Sequence, residues 1–353
     1  MANRVVEKIA EEWILVLSLM GFLVTSLYLK RFPAYDKADL EVVYILFVFL
    51  VIVKGLERTN FLHAVAARFR RGRWLSLKLV LLTAILSIFV TNDVAILTVV
   101  PMTLALDVDD PEMLVILETL AANAASALSP FGNPQNIFIY FHYHLHPLEF
   151  VRAIALFCLV SVGFILVIAW KKRLINITGN GDRDRNVAWN AYVYLGLFLI
   201  FVLAVLKIFP LAVGWTAIVY TVLLDRKSLS IDWLLLMTFF AFFGFTDNLI
   251  KIVSLAIENP LEAFLYPALG SQVMSNVPST LFFADLTNNW QALLWGVSVG
   301  GLGNLIGSLA SLISYRLYRA RFGGSIRYLM RFHLYGYATF LLGLLVYFLS
   351  RKM

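Results

Sequence analysis

The chain has 353 residues, 61% of them hydrophobic and 14% charged, with a mean hydropathy of +0.82. A soluble domain is about half apolar and about one quarter charged, so this excess cannot be buried in one aqueous core and requires lipid as a second apolar solvent. The formal charge of +7 comes from basic residues in short loops between apolar stretches, which is the positive-inside pattern of a membrane protein and not the basic groove of a nucleic-acid binder.

A helix crossing the hydrocarbon needs about 20 mostly apolar residues. Backbone in lipid must satisfy its own hydrogen bonds, so helices are expected throughout; the strict alternation of a transmembrane β-strand is absent. The expected spans are 12–29, 40–57, 113–142, 149–170, 189–207, 211–224, 232–250, 290–318 and 332–350, with 113–142 and 290–318 interrupted. Glu7, Glu11 and Glu12 precede the first apolar run and no small-residue cleavage site follows it, so that run is expected to be a retained span. Two stretches do not fit full crossings. Residues 75–106 contain the polar triplet Thr91-Asn92-Asp93, and residues 260–286 are broken at Ser275-Asn276. Their arms, about 13–16 residues each, are short for a crossing, and both are expected to be re-entrant hairpins. The expected fold is an all-α polytopic membrane protein, a single transporter domain over 1–353 forming an inverted-repeat helical bundle with two re-entrant hairpins and two broken helices.

Loop charge sets an expected orientation. Arg58, Arg68, Arg70, Arg71 and Arg73 fall between two spans; Lys171, Lys172, Arg173, Arg183 and Arg185 between two others. Arg226 and Lys227 mark a third basic loop, and Arg319, Arg321, Arg327 and Arg331 a fourth, all on one side of the span list. The loop at 143–148, on the other side, has neither Lys nor Arg. The expected arrangement is a multi-pass cell-membrane protein with its N-terminus cytoplasmic and its C-terminus external.

The chain reads as two copies of one pattern. DLEVVYILFVFL from Asp39 resembles IDWLLLMTFFAFF from Ile231, with Asp39 opposite Asp232. A hairpin tip follows in each half, TNDVAILTVVP from Thr91 and SNVPSTLFF from Ser275, and then a Gly-Asn break, FGNPQN at 131–136 and LGNLIGS at 302–308. Repeat 1 is assigned to 39–171 and repeat 2 to 232–350. An odd number of spans separates the two starts, so the second copy is expected to run inverted. Inverted repeats with discontinuous helices at matching positions mark secondary transporters, with the binding site at the repeat interface near the midplane. The two tips are therefore expected close together.

At a tip or break, backbone N–H and C=O groups lack intrahelical partners; helix N-termini then suit an anion and C-terminal carbonyls a cation. Substrate contacts are expected from Thr91, Asn92, Asp93, Asn133, Pro134, Asn136, Ser275, Asn276, Ser279, Thr280 and Asn304, and ion coupling from Asp93, Gly132, Asn133, Gly303 and Asp247. Pro134 is expected to free a backbone carbonyl, and Gly132 and Gly303 to allow close approach. A carboxylate deep in the bilayer costs at least about 2.5 kcal/mol and is functional by default. Asp93 could ligate Na⁺, carry a proton, donate to a substrate oxygen, or cap the second hairpin arm. Lys54 is the repeat equivalent of Asp247 and could pair with it or snorkel. Glu118 reads as interfacial. His142, His144 and His146 alternate in an ordinary external loop, and no metal site is expected there. Cys158, the single cysteine, reads as a packing residue and permits no internal disulfide. No P-loop, Ser-His-Asp set, HExxH or CxxC occurs, so no enzyme activity and no cofactor beyond Na⁺ or H⁺ as coupling ion is expected. The expected partners are the lipid bilayer and a small-molecule anion or oxyacid, with a homodimer left open and no nucleic acid.

TNDVAILTVVP, SPFGNPQNIFIY and SNVPSTLFF, each half opening with the repeated apolar span, resemble the ion-transporter superfamily: arsenical permeases, divalent-anion/sodium symporters and NhaD-type sodium/proton antiporters. The resemblance covers residues 39 to 318 and implies substrate contacts at Asn92, Asp93, Asn133, Ser275, Asn276 and Asn304. An acidic residue directly after the tip Asn is similar to the arsenical permeases. The Ser-Asn-Thr tips of the sodium/dicarboxylate members are absent, and Asp93 would repel a dicarboxylate. The resemblance implies alternating-access transport of a small inorganic anion or oxyacid, arsenite or antimonite being the most specific reading, coupled to H⁺ or Na⁺. A Na⁺/H⁺ antiporter and a Na⁺-coupled carboxylate symporter are the alternatives.

Overall fold

The structure, a computed structural model, describes residues 13–67, 74–106, 108–171, 187–252 and 256–351. The basic stretches 68–73 and 172–186, and with them Arg68, Arg70, Arg71, Arg73, Lys172, Arg173, Arg183 and Arg185, lie outside the described residues, as do Glu7, Glu11 and Glu12.

Every regular element among the described residues is helical. Three helices open the chain: α1 (Trp13–Leu29), α2 (Lys37–Arg58) and the short α3 (Phe61–Ala67). The first interrupted pair is α4 (Leu75–Phe89) and α5 (Asn92–Leu104); the second is α6 (Pro111–Ser126) and α7 (Pro134–His142). Next come α8 (Pro147–Lys171), α9 (Asn190–Val205), α10 (Gly214–Leu224) and α11 (Trp233–Ile252). The chain then repeats the interrupted pairs as α12 (Glu262–Met274) with α13 (Asn276–Ala284), and α14 (Trp290–Gly300) with α15 (Leu309–Phe322), before the closing helix α16 (Ile326–Ser350). Helices α8, α11 and α16 have the length and apolarity of a complete crossing, whereas α1, α4, α5, α9 and α10 are apolar but shorter.

Local chemistry explains where the helices begin. Asp36 accepts from the Asp39 amide while the Asp39 carboxylate accepts from the Asp36 amide, a reciprocal cap for α2. Asp232, its expected counterpart, accepts from the Leu235 amide at the start of α11. The Asp110 side chain accepts from Met113 N–H ahead of Pro111, and Asn289 accepts from Ala292 N–H, so α6 and α14 carry the same kind of cap.

These two capped helices form the interior. Residues 112–126 of α6 and 292–300 of α14 are all buried, as expected of helices that are apolar or small on every side. The outer helices instead expose large apolar side chains, Leu27, Leu159, Leu223 and Leu334 among them. Exposed apolar surface of this extent belongs against lipid.

Small residues let α14 approach α12. A Cβ added at Gly296 would collide with the carbonyl oxygen of Phe264, and one at Gly300 with Ser271. Such glycines four apart are the usual device for close helix packing in a bilayer. Gly296→Leu is expected to destabilise the protein by about 1–3 kcal/mol or more through overpacking; a melting temperature in detergent unchanged from the wild type would contradict that packing.

Candidate functional site

Both hairpins turn over a single strained residue. Thr91 has φ 113° between α4 and α5, and Ser275 has φ 72° between α12 and α13. A β-branched residue at positive φ is a true outlier, and such strain, about 1–3 kcal/mol per residue, persists where surrounding contacts over-determine the backbone. At the first tip those contacts are visible. Asn92 N–H donates to Gly132 O across 3.1 Å, which ties the tip to the break between α6 and α7. A Cβ at Gly132 would collide with Ser126 O, so only glycine brings this carbonyl so close to the end of α6.

From Asn92 a hydrogen-bonded path runs into the second half of the chain. Asn92 Nδ2 donates to Asn123 Oδ1 at 3.0 Å; that same oxygen accepts from Ser308 Oγ at 3.0 Å; and Asn123 Nδ2 donates to Ser311 Oγ at 2.9 Å. Asn123 thus joins the first hairpin, the first broken helix and the start of α15. All four side chains are buried.

The first break is stapled by its asparagines. Asn133 Nδ2 donates to Ser126 Oγ, and Asn136 Nδ2 donates to the carbonyls of Ser126 and Ser129. The oxygens of these two amides, Asn133 Oδ1 and Asn136 Oδ1, are buried without a hydrogen-bond partner, and so is Asp93 Oδ1 next to the tip. Pro134 is not a mid-helix kink freeing a carbonyl, as expected above; it occupies the first turn of α7, where its missing N–H costs nothing.

The second half uses other groups for the same task. Gln272 on α12 donates through Nε2 to Gly300 O and Leu302 O and accepts from Asn304 N–H through Oε1, while Asn304 Nδ2 donates to Gln272 O. Asn304 Oδ1 accepts from Gly307 N–H, and Gly303 has φ 88°. The second tip also meets this break: a Cβ on Gly301 would collide with Asn276 Nδ2. The two tips therefore converge on one segment, 301–308, the first through Asn123 and the second directly.

Some expected residues are placed elsewhere. Ser279 Oγ donates to Pro267 O and so links the two arms of the second hairpin, while Thr280 Oγ1 donates to Asn276 O within α13. Asp247 is not drawn into the tips; it pairs with the Arg31 guanidinium and accepts from Ala34 N–H at 2.9 Å. Lys54 pairs with Glu57, not with Asp247. Glu118, expected near the interface, is fully buried inside the bundle on α6. His142 Nε2 faces Asp285 Oδ1 at 3.5 Å, and no cluster of three metal-ligating side chains occurs among the described residues. Residues missed in the sequence are Asn123, Ser126, Ser308, Ser311 and Gln272. Their signal was weak, because short polar residues among alanines and leucines read as ordinary helix packing.

Two broken helices and two strained tips on a shared buried polar network are transporter features, and the chain's similarities agree. The citrate transporter family, CitMHS, matches residues 5–300. The chain belongs to that family. It is 32% identical over 324 residues to the uncharacterized transporter MJ0456 of Methanocaldococcus jannaschii, covering 87% of each protein. It is 33% identical over 340 residues to the inner membrane protein YbiR of Escherichia coli strain K12, covering 90% of this chain and 88% of that one. This member of the citrate transporter family is thus a membrane transporter, and the matched stretch includes both tips, the first break and α14. The segment from Gly301 onward, with Asn304, Ser308 and Ser311, lies beyond the family match but bonds directly into it.

Proposed function

We propose that the chain is a secondary active transporter of a small inorganic anion or oxyacid, of the arsenite or antimonite type, driven by Na⁺ or H⁺ through alternating access. The observation that carries this reading is the set of three buried, unpartnered oxygens, Asp93 Oδ1, Asn133 Oδ1 and Asn136 Oδ1, around the Asn92–Gly132 contact. Unpaired acceptors in a buried site are expensive, and a hard cation or a proton satisfies them. Na⁺ or H⁺ at Asp93, with oxygens from Asn133 and Asn136, is the proposed coupling site. The solute would sit against the amides and hydroxyls of Asn92, Asn123, Ser308 and Ser311, with Ser275 and Asn276 contributing from the other tip. Helices α5, α7, α13 and α15 all begin at breaks, so their N-termini favour an oxygen-rich solute. The pairs 75–106 and 260–286 act in this proposal as re-entrant hairpins of two inverted repeats.

A carboxylate such as citrate is the second reading, favoured by the family's name and by those four helix N-termini. Against it stand Asp93 and the absence of any Lys or Arg from the hydrogen bonds of the two tips and breaks among the described residues. Uptake by proteoliposomes under an imposed Na⁺ or pH gradient, with arsenite and citrate as probes, separates the two. Arsenite uptake that collapses with the gradient is expected; gradient-driven citrate uptake with none of arsenite would move the assignment to the carboxylate.

The proposed orientation places the loop near Arg70 in the cytoplasm and the loop near His144 outside. In a Cys158→Ser background, a cysteine introduced at His144 is expected to react with an impermeant thiol reagent on intact cells. A cysteine at Arg70 is expected to react only after lysis, and the reverse labelling would overturn the orientation.

A further inference from the structure

Two carboxyl groups on α6 are buried, and the fold treats them differently. Glu112, in the first turn, is neutralised: Arg331 Nη1 donates to it at 3.2 Å, Arg327 lies 3.8 Å away, and the hydroxyls of Tyr318 and Ser325 donate to its other oxygen. Glu118 has no such company. Its Oε1 accepts from Thr103 Oγ1 at 2.6 Å, while its Oε2 has no partner and no solvent contact. Both Glu118 and Thr103 are 0% exposed.

We infer that Glu118 is a proton-carrying site, separate from the Asp93 junction, which loads and releases one proton in each transport cycle at its contact with Thr103. The inference rests on reading the chain as a secondary transporter, and it holds whichever cation Asp93 takes.

An ionised carboxylate enclosed in the bundle with one oxygen unsatisfied is costly, and intramembrane acids of this kind belong to proton relays. The elements packed against α6 supply no countercharge. On α4 the titratable group is Lys78, in the first turn and engaged in its own interaction. On α5 it is Asp93, at the far end of the helix from Thr103. Helix α14 has none. On α8, Cys158 is buried, while Glu149, Arg152 and Lys171 lie in the end turns. On α15 and α16, Tyr318, Arg327 and Arg331 serve Glu112 and Tyr328 faces Ser314; no ion pair from Arg316, Arg319, Arg321 or His333 reaches Glu118.

Position supports the same role. At 1.5 Å per residue, Glu118 lies about 9 Å along α6 from Glu112 and about 7.5 Å from Asn123. It stands between the charged end of the helix and the polar network at the tips. Its cover is α5, an arm of the first hairpin and therefore an element that alternating access must shift. When that arm moves, the acid O–H bond breaks and the proton passes to water. In the opposite state the carboxylate takes a proton from water on the other face, and no electron is transferred.

Glu118→Gln keeps the shape and the Thr103 contact while removing the exchangeable proton. Two readouts test it. By infrared spectroscopy of the purified protein at neutral pH, a carboxylic-acid carbonyl band is expected in the wild type and in Asp93→Asn, and is expected to disappear from Asp93→Asn when Glu118→Gln is added. In proteoliposomes with an internal pH dye, using arsenite and citrate in parallel, Glu118→Gln is expected to move one proton fewer per solute while solute counterflow stays within about twofold and the melting temperature holds. Absence of the acid band from the wild type would overturn the proposal outright. An unchanged proton count in Glu118→Gln would overturn the carrier role, as would proton movement, counterflow and melting temperature all falling together, since that is the pattern of a structural residue. Wild-type uptake that moves no protons would overturn this inference while leaving the Na⁺-driven form of the transport reading intact.

Discussion

Asn123→Ala is expected to lower solute uptake between about ten- and a hundredfold, more than alanine at any other single side chain of the network. The amide makes three hydrogen bonds at 2.9–3.0 Å, to Asn92, Ser308 and Ser311, and it takes part in both side-chain hydrogen bonds that cross between the two halves there, those to Ser308 and Ser311. Truncation leaves the Asn92 amide and two hydroxyls without their partner in a buried site, at about 1–3 kcal/mol for each group not rescued by water. A factor of ten corresponds to about 1.36 kcal/mol, so losing one or two of these contacts accounts for the predicted range. Asn123→Asp distinguishes lost geometry from lost polarity: it keeps an acceptor for Asn92 and Ser308 but removes the donor to Ser311 and adds a charge. Uptake rates for both variants, normalised to protein in the vesicle, decide the matter. Wild-type uptake by Asn123→Ala would mean that the junction is not where solute binds.

The parts of this network that were legible in the sequence are those that interrupt an apolar run. Asn92, Asp93, Asn133, Asn276 and Asn304 stand at breaks, and a break in lipid demands polar chemistry to satisfy the freed backbone. Their order was the same in both halves, but the bonding of tip to break, Asn92 to Gly132 and Asn304 to Gln272, is visible only in the structure. Asn123 stayed hidden because it sits mid-helix in AANAAS, where an asparagine among alanines reads as ordinary helix contact. The enclosure of Glu118 stayed hidden for a different reason. Counting residues from the end of a span measures depth along one axis, whereas its burial comes from enclosure of α6 on all sides. The pairing of Asp247 was not legible, because its partner Arg31 lies 216 positions away, a distance at which sequence carries no pairing information. Ser279 and Thr280 share that limit, since a hydroxyl can satisfy its own hairpin backbone or a ligand and only the bond itself decides.

The two breaks also differ in how firmly they are held. The second is gripped by Gln272 through three hydrogen bonds to its backbone, while the first tip meets its break through one backbone bond and the Asn92–Asn123 pair. If the hairpins move during transport, the second tip and break travel together, and the first junction, where the unpartnered oxygens lie, is the looser one. This difference agrees with the proposed coupling site at Asp93.

Asp93→Asn is accordingly expected to uncouple transport. The carboxylate opens α5, where its own amide donates to Asn92 Oδ1 at 2.9 Å, and its Oδ1 is buried with no partner. Asparagine has nearly the same shape, and Asp93, the second residue of α5 after the N-cap Thr91, makes no side-chain cap bond that the substitution would break, so the tip should fold and the solute should still bind. What the substitution removes is a titratable, negatively charged ligand. A hard cation at this position would lose its charged oxygen, and a proton would lose its acceptor. Gradient-driven accumulation is therefore expected to fall at least tenfold, and the residual uptake to become insensitive to the ion that Asp93 carries, while solute counterflow without a gradient persists. Replacing the gradient ion by ion identifies the driver in the wild type, because only the coupled cation sustains accumulation. The expected cap role is not met, since Thr91 is the N-cap of α5 and no side-chain cap bond is made there; if Asp93 is only a packing residue, the asparagine variant retains the wild-type response to both ions, and that single result would remove Asp93 from the coupling mechanism.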